Sequence, residues 1–432
     1  MIRPYLELPR TVYILALGSF INRAGAFFLV FLTIYLGEHL HLGERFATRT
    51  MGVFGAGAII AAIVGGHLAD WLGRKRVMLA SLFGGAAVLC AFTALTNPWH
   101  LQAAVFAFGF LGEMYRPAST AMVSDVTTTE QRPTAFALLY FSVNLGFAVG
   151  PIVGGEVVER FSFSTIFLAD AATSATYAII ILLALRETIH LAHAQSLQAR
   201  SESSPGKSTP GEATPAAASP AADPAPPRIE VGWRQALARL GRDRVFLTFC
   251  LATLCISMCF MQHLSTLPLF AREHGIGAKT YGRLIALNGA LIVVLQLPFT
   301  TLLRRFDRGR MIALSTLIIG AGYGLTAFAH TPTEFAGTIF VWTIGELMQL
   351  PFLASVASDL APADMRGRYM GVFGLCFSSA NMIGAPIGGE VLARFGGGYI
   401  WAGCFAMGLI SGALFLSIRR HISIREATRL IA

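Results

Sequence analysis

Polar residues are spaced along this chain so that apolar runs of roughly 20 residues lie between them, each long enough to cross a bilayer as a helix. The first half holds six such runs, near residues 11–36, 48–70, 77–96, 101–123, 136–157 and 163–185. The second holds six more, near 245–270, 280–303, 311–330, 334–356, 368–391 and 398–418. Between the halves, residues 195–228 are rich in Ser, Ala, Pro and Gly, which cannot bury a core and predicts a disordered linker. Ile229 to Leu240 predicts either a short amphipathic helix on the membrane surface, with Trp233, Leu237 and Leu240 on one side, or a simple run-in to the seventh span. The pattern as a whole predicts an all-α membrane protein. Twelve transmembrane helices form two pseudo-symmetric six-helix bundles over residues 1–187 and 244–432, joined by a cytoplasmic linker over 188–243.

The charged residues inside the apolar runs repeat. GEMYRPASTAMVSD, Gly112 to Asp125, is nearly copied as GELMQLPFLASVASD, Gly345 to Asp359. Glu113 and Glu346 lie 233 residues apart, and Asp125 and Asp359 lie 234 apart. The offset of 234 also relates Arg132 to Arg366, Glu156 to Glu390 and Arg160-Phe161 to Arg394-Phe395. One unit is written twice, and each copy carries a carboxylate where water is scarce.

Composition agrees with this picture. Of all residues 54% are hydrophobic and 13% charged, about half the charged share of an ordinary globular protein. The net charge of +9 does not point to nucleic acid, because the basic residues are placed by topology. Arg74 to Arg76, Arg132, Arg304, Arg305, Arg308, Arg310, Arg366, Arg368, Arg419 and Arg420 all fall in alternate loops. That bias marks those loops, and with an even span count both termini, as cytoplasmic. All six cysteines lie in apolar runs without zinc-like spacing and read as small core residues, so no metal is expected. The first apolar run is long enough to span and has no cleavage-site pattern, so it reads as a retained anchor.

Several constellations stand out within the spans. Asn22 and Arg23 sit in the middle of the first, where an arginine costs a few kcal/mol on insertion scales of ~2.5–3.5 kcal/mol and therefore seeks an interior partner. Glu113, at similar depth, is the expected partner; the plainer reading makes that pair interhelical glue. After the second span, GHLADWLGRKR places Gly66, Asp70, Gly73, Arg74, Lys75 and Arg76 at a tight turn able to latch two helices by charge-assisted hydrogen bonds. Asp70 aligns with Arg304, so the latch is expected in the first half alone. The fifth span carries Gly146, Gly150, Pro151, Gly154 and Gly155, a spacing that permits close helix approach and a bend, or simply an ordinary packing face. For Asp170 the pattern leaves both a buried place and the outer water boundary open.

These motifs resemble the major facilitator superfamily. The twelve spans, the two-fold repeat and the long central loop match it, as does Gly66 to Arg76 against its loop signature G-x-L-a-D-r-x-G-r-k. Trp71 departs from that signature where a basic residue is usual, which implies a weaker latch. Gly146 to Gly155 is similar to g-x-x-x-G-P-x-x-G-G of proton-coupled antiporters, and GELMQLPF is similar to the acidic tenth helix of bacterial twelve-span multidrug:proton antiporters. Arg116 is followed by Pro117 and Ala118 where those antiporters carry Gln-Gly, so a proton-relay role does not carry over to it. The resemblance implies a monomeric, multi-pass carrier of the bacterial inner membrane that binds small molecules, with protons as coupling ion and no organic cofactor.

The two copies differ in their cations. Glu113 has Arg116 one turn away and Arg23 across the bundle, both of which favour its ionised form. Gln349 stands where Arg116 would be repeated, so Glu346 is desolvated without a cation, which favours the neutral acid. Glu346 is the expected exchangeable proton site, with Glu113, Arg23 and Arg116 as a fixed polar centre. Tyr140, Phe141 and Trp342, with Phe27 and Phe28, are candidate π contacts for a lipophilic cation, or else packing residues. The expected activity is proton-coupled antiport exporting lipophilic, often cationic, molecules. The alternative is a symporter or uniporter for a sugar or short peptide, supported by interior Asn22, Arg23, Gln262, Asn288 and Gln349. A receptor or membrane enzyme is disfavoured, since no Walker loop, HExxH or Ser/His/Asp set occurs.

Overall fold

The computed structural model describes residues 3–128, 130–189, 233–303, 306–362 and 365–431; the expected linker, Arg304 and Arg305 lie outside these. Among the described residues every regular element is a helix. After a single turn at Arg3–Leu6, the long helices of the N-terminal half are α1 (Arg10–His39), α2 (Glu44–Leu72), α3 (Arg74–Phe92), α4 (Pro98–Val126), α5 (Arg132–Arg160) and α6 (Phe163–Ala184). In the C-terminal half they are α7 (Arg244–Ser265, continued as Leu267–Glu273), α8 (Ala278–Leu303), α9 (Arg308–Leu325), α10 (Pro332–Leu360), α11 (Arg366–Phe395) and α12 (Gly397–Ile431). Eleven of these are long and apolar enough to cross a membrane. The twelfth long helix is α4, 29 residues carrying Glu113, Arg116 and Asp125.

Helix ends follow local chemistry. Thr331 and Glu334 form a capping box at α10, with Pro332 at the first helical position where its missing N–H costs nothing. Asn97, Ser162, Asp243 and Asp307 cap α4, α6, α7 and α9. A short helix, Trp233–Arg242, precedes α7 within the segment where one of the two expectations placed a helix, and Ile229 to Gly232 lie outside the described residues. Leu240 is buried against the C-terminal core.

The halves are built alike. In the first, α1 packs on α5 and α6, α2 on α4, and α3 on α4 and α6; in the second, α7 packs on α11 and α12, α8 on α10, and α9 on α10 and α12. Two helix pairs make most of the contact between the halves, α2 with α11 and α5 with α8, and they exchange under the same two-fold relation. Apolar side chains left outside this packing, such as Ile63, Leu183, Val294 and Leu297, are what a lipid-facing surface requires.

The seam closes over the half of its length farther from the chain termini. An added Cβ on Gly282 of α8 would collide with the Pro151 carbonyl, and one on Gly155 of α5 would meet the Lys279 backbone at 2.9 Å. Ion pairs bridge that end: Arg272 with Glu38 (2.6 Å), Lys279 with Glu159 (2.8 Å) and Glu156 (3.2 Å), and Arg49 (3.4 Å) and Arg45 (3.7 Å) with Glu390. Toward the termini, α5 exposes Tyr140 and Phe141.

Candidate functional site

A polar centre lies inside the N-terminal half, where α1 breaks. Its first segment ends at Ala24 and its second begins at Phe28, and the N–H of Phe28 donates to Asp170 Oδ2 of α6 (3.1 Å). Asp170 is therefore buried, the outcome that the linear pattern left open. It shares a cavity of about 60 Å³ with Asn22, Arg23, Ser81, Glu113 and Ser174. The Asn22 amide donates to Ser174 Oγ (2.9 Å), and the Arg23 guanidinium lies 5.6 Å from the Phe147 ring centre. Beside it, Tyr115 and Tyr177 are hydrogen-bonded hydroxyl to hydroxyl, and Tyr177 also donates to the Leu15 carbonyl.

The expected pair of Arg23 with Glu113 does not form. Glu113 is taken by Arg116 (3.3 Å), its neighbour one turn along the same helix, and no ion pair within 4 Å joins Arg23 to Glu113 among the described residues. A partner on the same helix face needs no adjustment between helices, which is why it wins.

The C-terminal half holds the second carboxylate. Glu346 on α10 is half-buried and accepts a hydrogen bond from the Asn288 amide of α8 (2.8 Å), while Asn288 also donates to Thr343 Oγ1 (3.0 Å). Burial and this amide are the influences on it; no cation is among them. Tyr140, across the seam on α5, and Tyr323 on α9 lie within electrostatic reach of Glu346. Asn288 appeared in the linear pattern only as a generic interior polar residue. Its pairing with Glu346 depends on α8 lying beside α10, which periodicity does not report.

Other expected cavity residues are placed differently. Gln262 is fully engaged between helices: its amide donates to the carbonyls of Gly384 (2.9 Å) and Met258 (3.0 Å) and accepts from Thr266 (2.8 Å) and Ser265 (3.2 Å). It braces α7 against α11 at the break in α7 and has no group to offer a cargo. Trp342 is 1% exposed, stacked on Tyr323 at 5.4 Å and near His263. Phe27 and Phe28 are likewise core, Phe28 meeting Phe92, Phe108 and Phe167 edge-on. Of the aromatic candidates, Tyr140 and Phe141 stay exposed. Among the described residues the Gln349 Nε2 atom is buried without a hydrogen-bond partner, as are Gln296 Oε1 and Asn381 Oδ1.

The latch expected at GHLADWLGRKR is present, and it is repeated. Gly73, at φ +104°, makes the α2–α3 turn. Buried Arg74 pairs with Asp125 of α4 (3.1 Å) and Asp70 (3.0 Å), and the Glu187 carboxylate accepts the N–H groups of Arg74 (2.9 Å) and Lys75 (3.1 Å) at the start of α3. Lys75 Nζ donates to the carbonyls of Leu182 and Leu185, which ties in the end of α6. Arg76 and Trp71 face outward, so the departure at Trp71 does not touch the latch. In the second half Arg308 pairs with Asp359 (3.1 Å), each 234 residues beyond its counterpart. The expectation of a latch in the first half alone is thus corrected: losing the acid at Arg304 leaves the arginine–aspartate pair intact. Glu187 had no signal in the linear pattern, because it follows α6 and acts on α3.

Gly146 and Gly150 of α5 pack on Arg23 and Ala24 of α1, where an added Cβ on Gly146 would sit 2.6 Å from the Arg23 Cβ. Gly155 and Pro151 face α8 across the seam. The glycine motif thus lies where the polar centre and the inter-half contact share one helix.

Two six-helix halves, related by a two-fold repeat and each holding a carboxylate within its spans, define a membrane transporter of the two-lobed carrier class, not an enzyme. The chain belongs to the Major Facilitator Superfamily, whose family model matches residues 15–385 and 265–428. It is 26% identical over 436 residues to a Na(+), Li(+), K(+)/H(+) antiporter of Planococcus maritimus, covering 94% of this chain and 95% of that one. It is 23% identical over 340 residues to the multidrug resistance protein MdtH of Edwardsiella ictaluri, covering 78% and 73%. A crystal structure of a POT family transporter in complex with 5-aminolevulinic acid shares the fold with a TM-score of 0.74 at 17% identity, covering 96% of this chain and 97% of that chain.

Proposed function

We propose that this transporter is a proton-coupled antiporter that exports lipophilic, often cationic, small molecules across a bacterial inner membrane. The observation that carries the reading is the state of Glu346: a half-buried carboxylate held by an amide, with no cation among its neighbours. Such a group attracts either a proton or a cationic cargo and holds neither tightly. A proton arriving from outside displaces the cargo, and cargo arriving from inside displaces the proton. The relatives support counterflow, one being an antiporter that exchanges monovalent cations for protons and another a multidrug resistance protein.

Alternating access follows from rocking of the two halves about the mid-span site. With the basic loops and both termini on the cytoplasmic side, the closed far end is the outer end, and this conformation opens inward. Glu113 with Arg116 forms the fixed part of the polar centre, and the exposed Tyr140 and Phe141 supply aromatic contact for the cargo. The carrier acts as a monomer, since each chain holds both halves of the pathway.

The test is Glu346→Gln in proteoliposomes with an imposed pH gradient. Gradient-driven transport should be lost while the protein folds and still exchanges cargo; full uphill transport in the variant overturns the reading. A second reading, symport of a polar solute, is favoured by the unpartnered amide atoms of Gln296, Gln349 and Asn381. Solute and protons moving in the same direction in that assay would establish it.

A further inference from the structure

Asp170 has a place in the structure that no repeat explains. Cys404 stands 234 residues beyond it, so the C-terminal half has no such acid. Its side chain is 3% exposed and reaches the N–H of Phe28 at the α1 break. The charged and titratable groups facing its cavity are Arg23 on α1 and Glu113 and Tyr115 on α4, while α3 contributes Ser81, Leu82 and Gly85 and α5 contributes nothing to the lining. Glu113 is paired with Arg116, and Arg23 lies within electrostatic reach of Glu113, Tyr115 and Asp170 but makes no ion pair within 4 Å to Asp170 among the described residues. A neutral Asn or Ser would cap a helix start as well. Burying a carboxylate here without a contacting cation is unfavourable.

The segment that Asp170 caps is connected to the seam. It runs from Phe28 through a π-helical turn at Tyr35–His39, and Glu38 of that turn pairs with Arg272 of the other half. Between them the Thr33 hydroxyl donates to the Leu264 carbonyl, again across the seam (3.4 Å). One end of this stretch of helix is thus held by a carboxylate in the N-terminal half, and the other end locks the far seam.

We propose that Asp170 is a second proton-binding site, and that its negative charge holds the outer segment of α1 where it keeps the far seam closed. Taking the proton as the titrating ligand rests on the antiport reading above. On protonation the O–H forms at the carboxylate, the Phe28 N–H loses its charged acceptor, and Arg23 loses one of the negative charges within its reach. The segment is then released and the equilibrium moves toward opening at the far end.

The experiment uses the full chain with its cysteines replaced, reconstituted without a gradient, and spin labels at Leu183 on α6 and Leu416 on α12. Both sites are exposed near the end that carries the termini. In the otherwise unaltered protein and in Glu346→Gln, the label distance should shorten on moving from alkaline to acid pH. In Asp170→Asn it should be the same at both pH values, and Asp170→Ser, which also removes the charge, should behave alike if the Asn variant does not fold. A normal pH response in either Asp170 variant, or none in the unaltered protein, overturns the proposal. So does loss of the response in Glu346→Gln alone, which would assign the switch to Glu346. Uphill transport surviving in Glu346→Gln sinks the antiport reading instead and leaves the distance test of Asp170 standing.

Discussion

Replacing Arg74 with alanine should damage the N-terminal half far more than Arg308→Ala damages the C-terminal half, although the two arginines are repeat partners. The side chains of Arg74 and Asp125 are 8% and 9% exposed, whereas those of Arg308 and Asp359 are 35% and 16% exposed. Removing Arg74 breaks a buried ion pair, which costs about 3–5 kcal/mol, although Asp125 keeps the Thr188 hydroxyl (2.8 Å). Removing Arg308 leaves Asp359 nearer water, where a pair is worth about 1 kcal/mol or less. The difference should be at least about 2 kcal/mol on these figures. Thermal unfolding of the purified protein in detergent ranks the variants. Double-mutant cycles with Asp125→Ala and Asp359→Ala isolate the pair terms from any wider damage. Equal losses for the two arginines, within about 0.5 kcal/mol, or a coupling near zero for Arg74 with Asp125, would refute the argument from burial.

Three further outcomes follow from the packing. Gly146→Ala should lower stability by about 1–3 kcal/mol through overpacking against Arg23; Gly66→Ala, with nothing within 4 Å of its added Cβ, should be neutral or raise the melting temperature. Gln262→Ala should cost about 1–3 kcal/mol by leaving hydroxyl and carbonyl partners unsatisfied, and it should leave the KM for cargo unchanged; a selective rise in KM would return Gln262 to the binding cavity. Glu390→Gln removes the acid shared by Arg45, Arg49 and Arg394, so cross-linking at the far end should show the seam open more often. That effect should shrink at high salt, where exposed charges are screened.

The spans, the two-fold repeat, the superfamily, and the difference in cations between Glu113 and Glu346 were all readable along the chain. Each is written in local order: run length, spacing, and which residue stands three positions after a glutamate. What required the tertiary structure was partnership. Arg116 outcompetes Arg23 for Glu113 because it shares a helix face, Asn288 reaches Glu346 because α8 lies beside α10, and Gln262 is consumed by the brace between α7 and α11. Arg308 keeps its aspartate although the acid at the Asp70 position is gone. Asp170 and Glu187 show the limit most plainly, since each acts on a helix distant in sequence. In a bilayer, run length alone answers whether a segment spans, because unpaired backbone cannot face lipid. Which polar group meets which is decided by helix rotation and neighbourhood, and those emerge only when the bundles close.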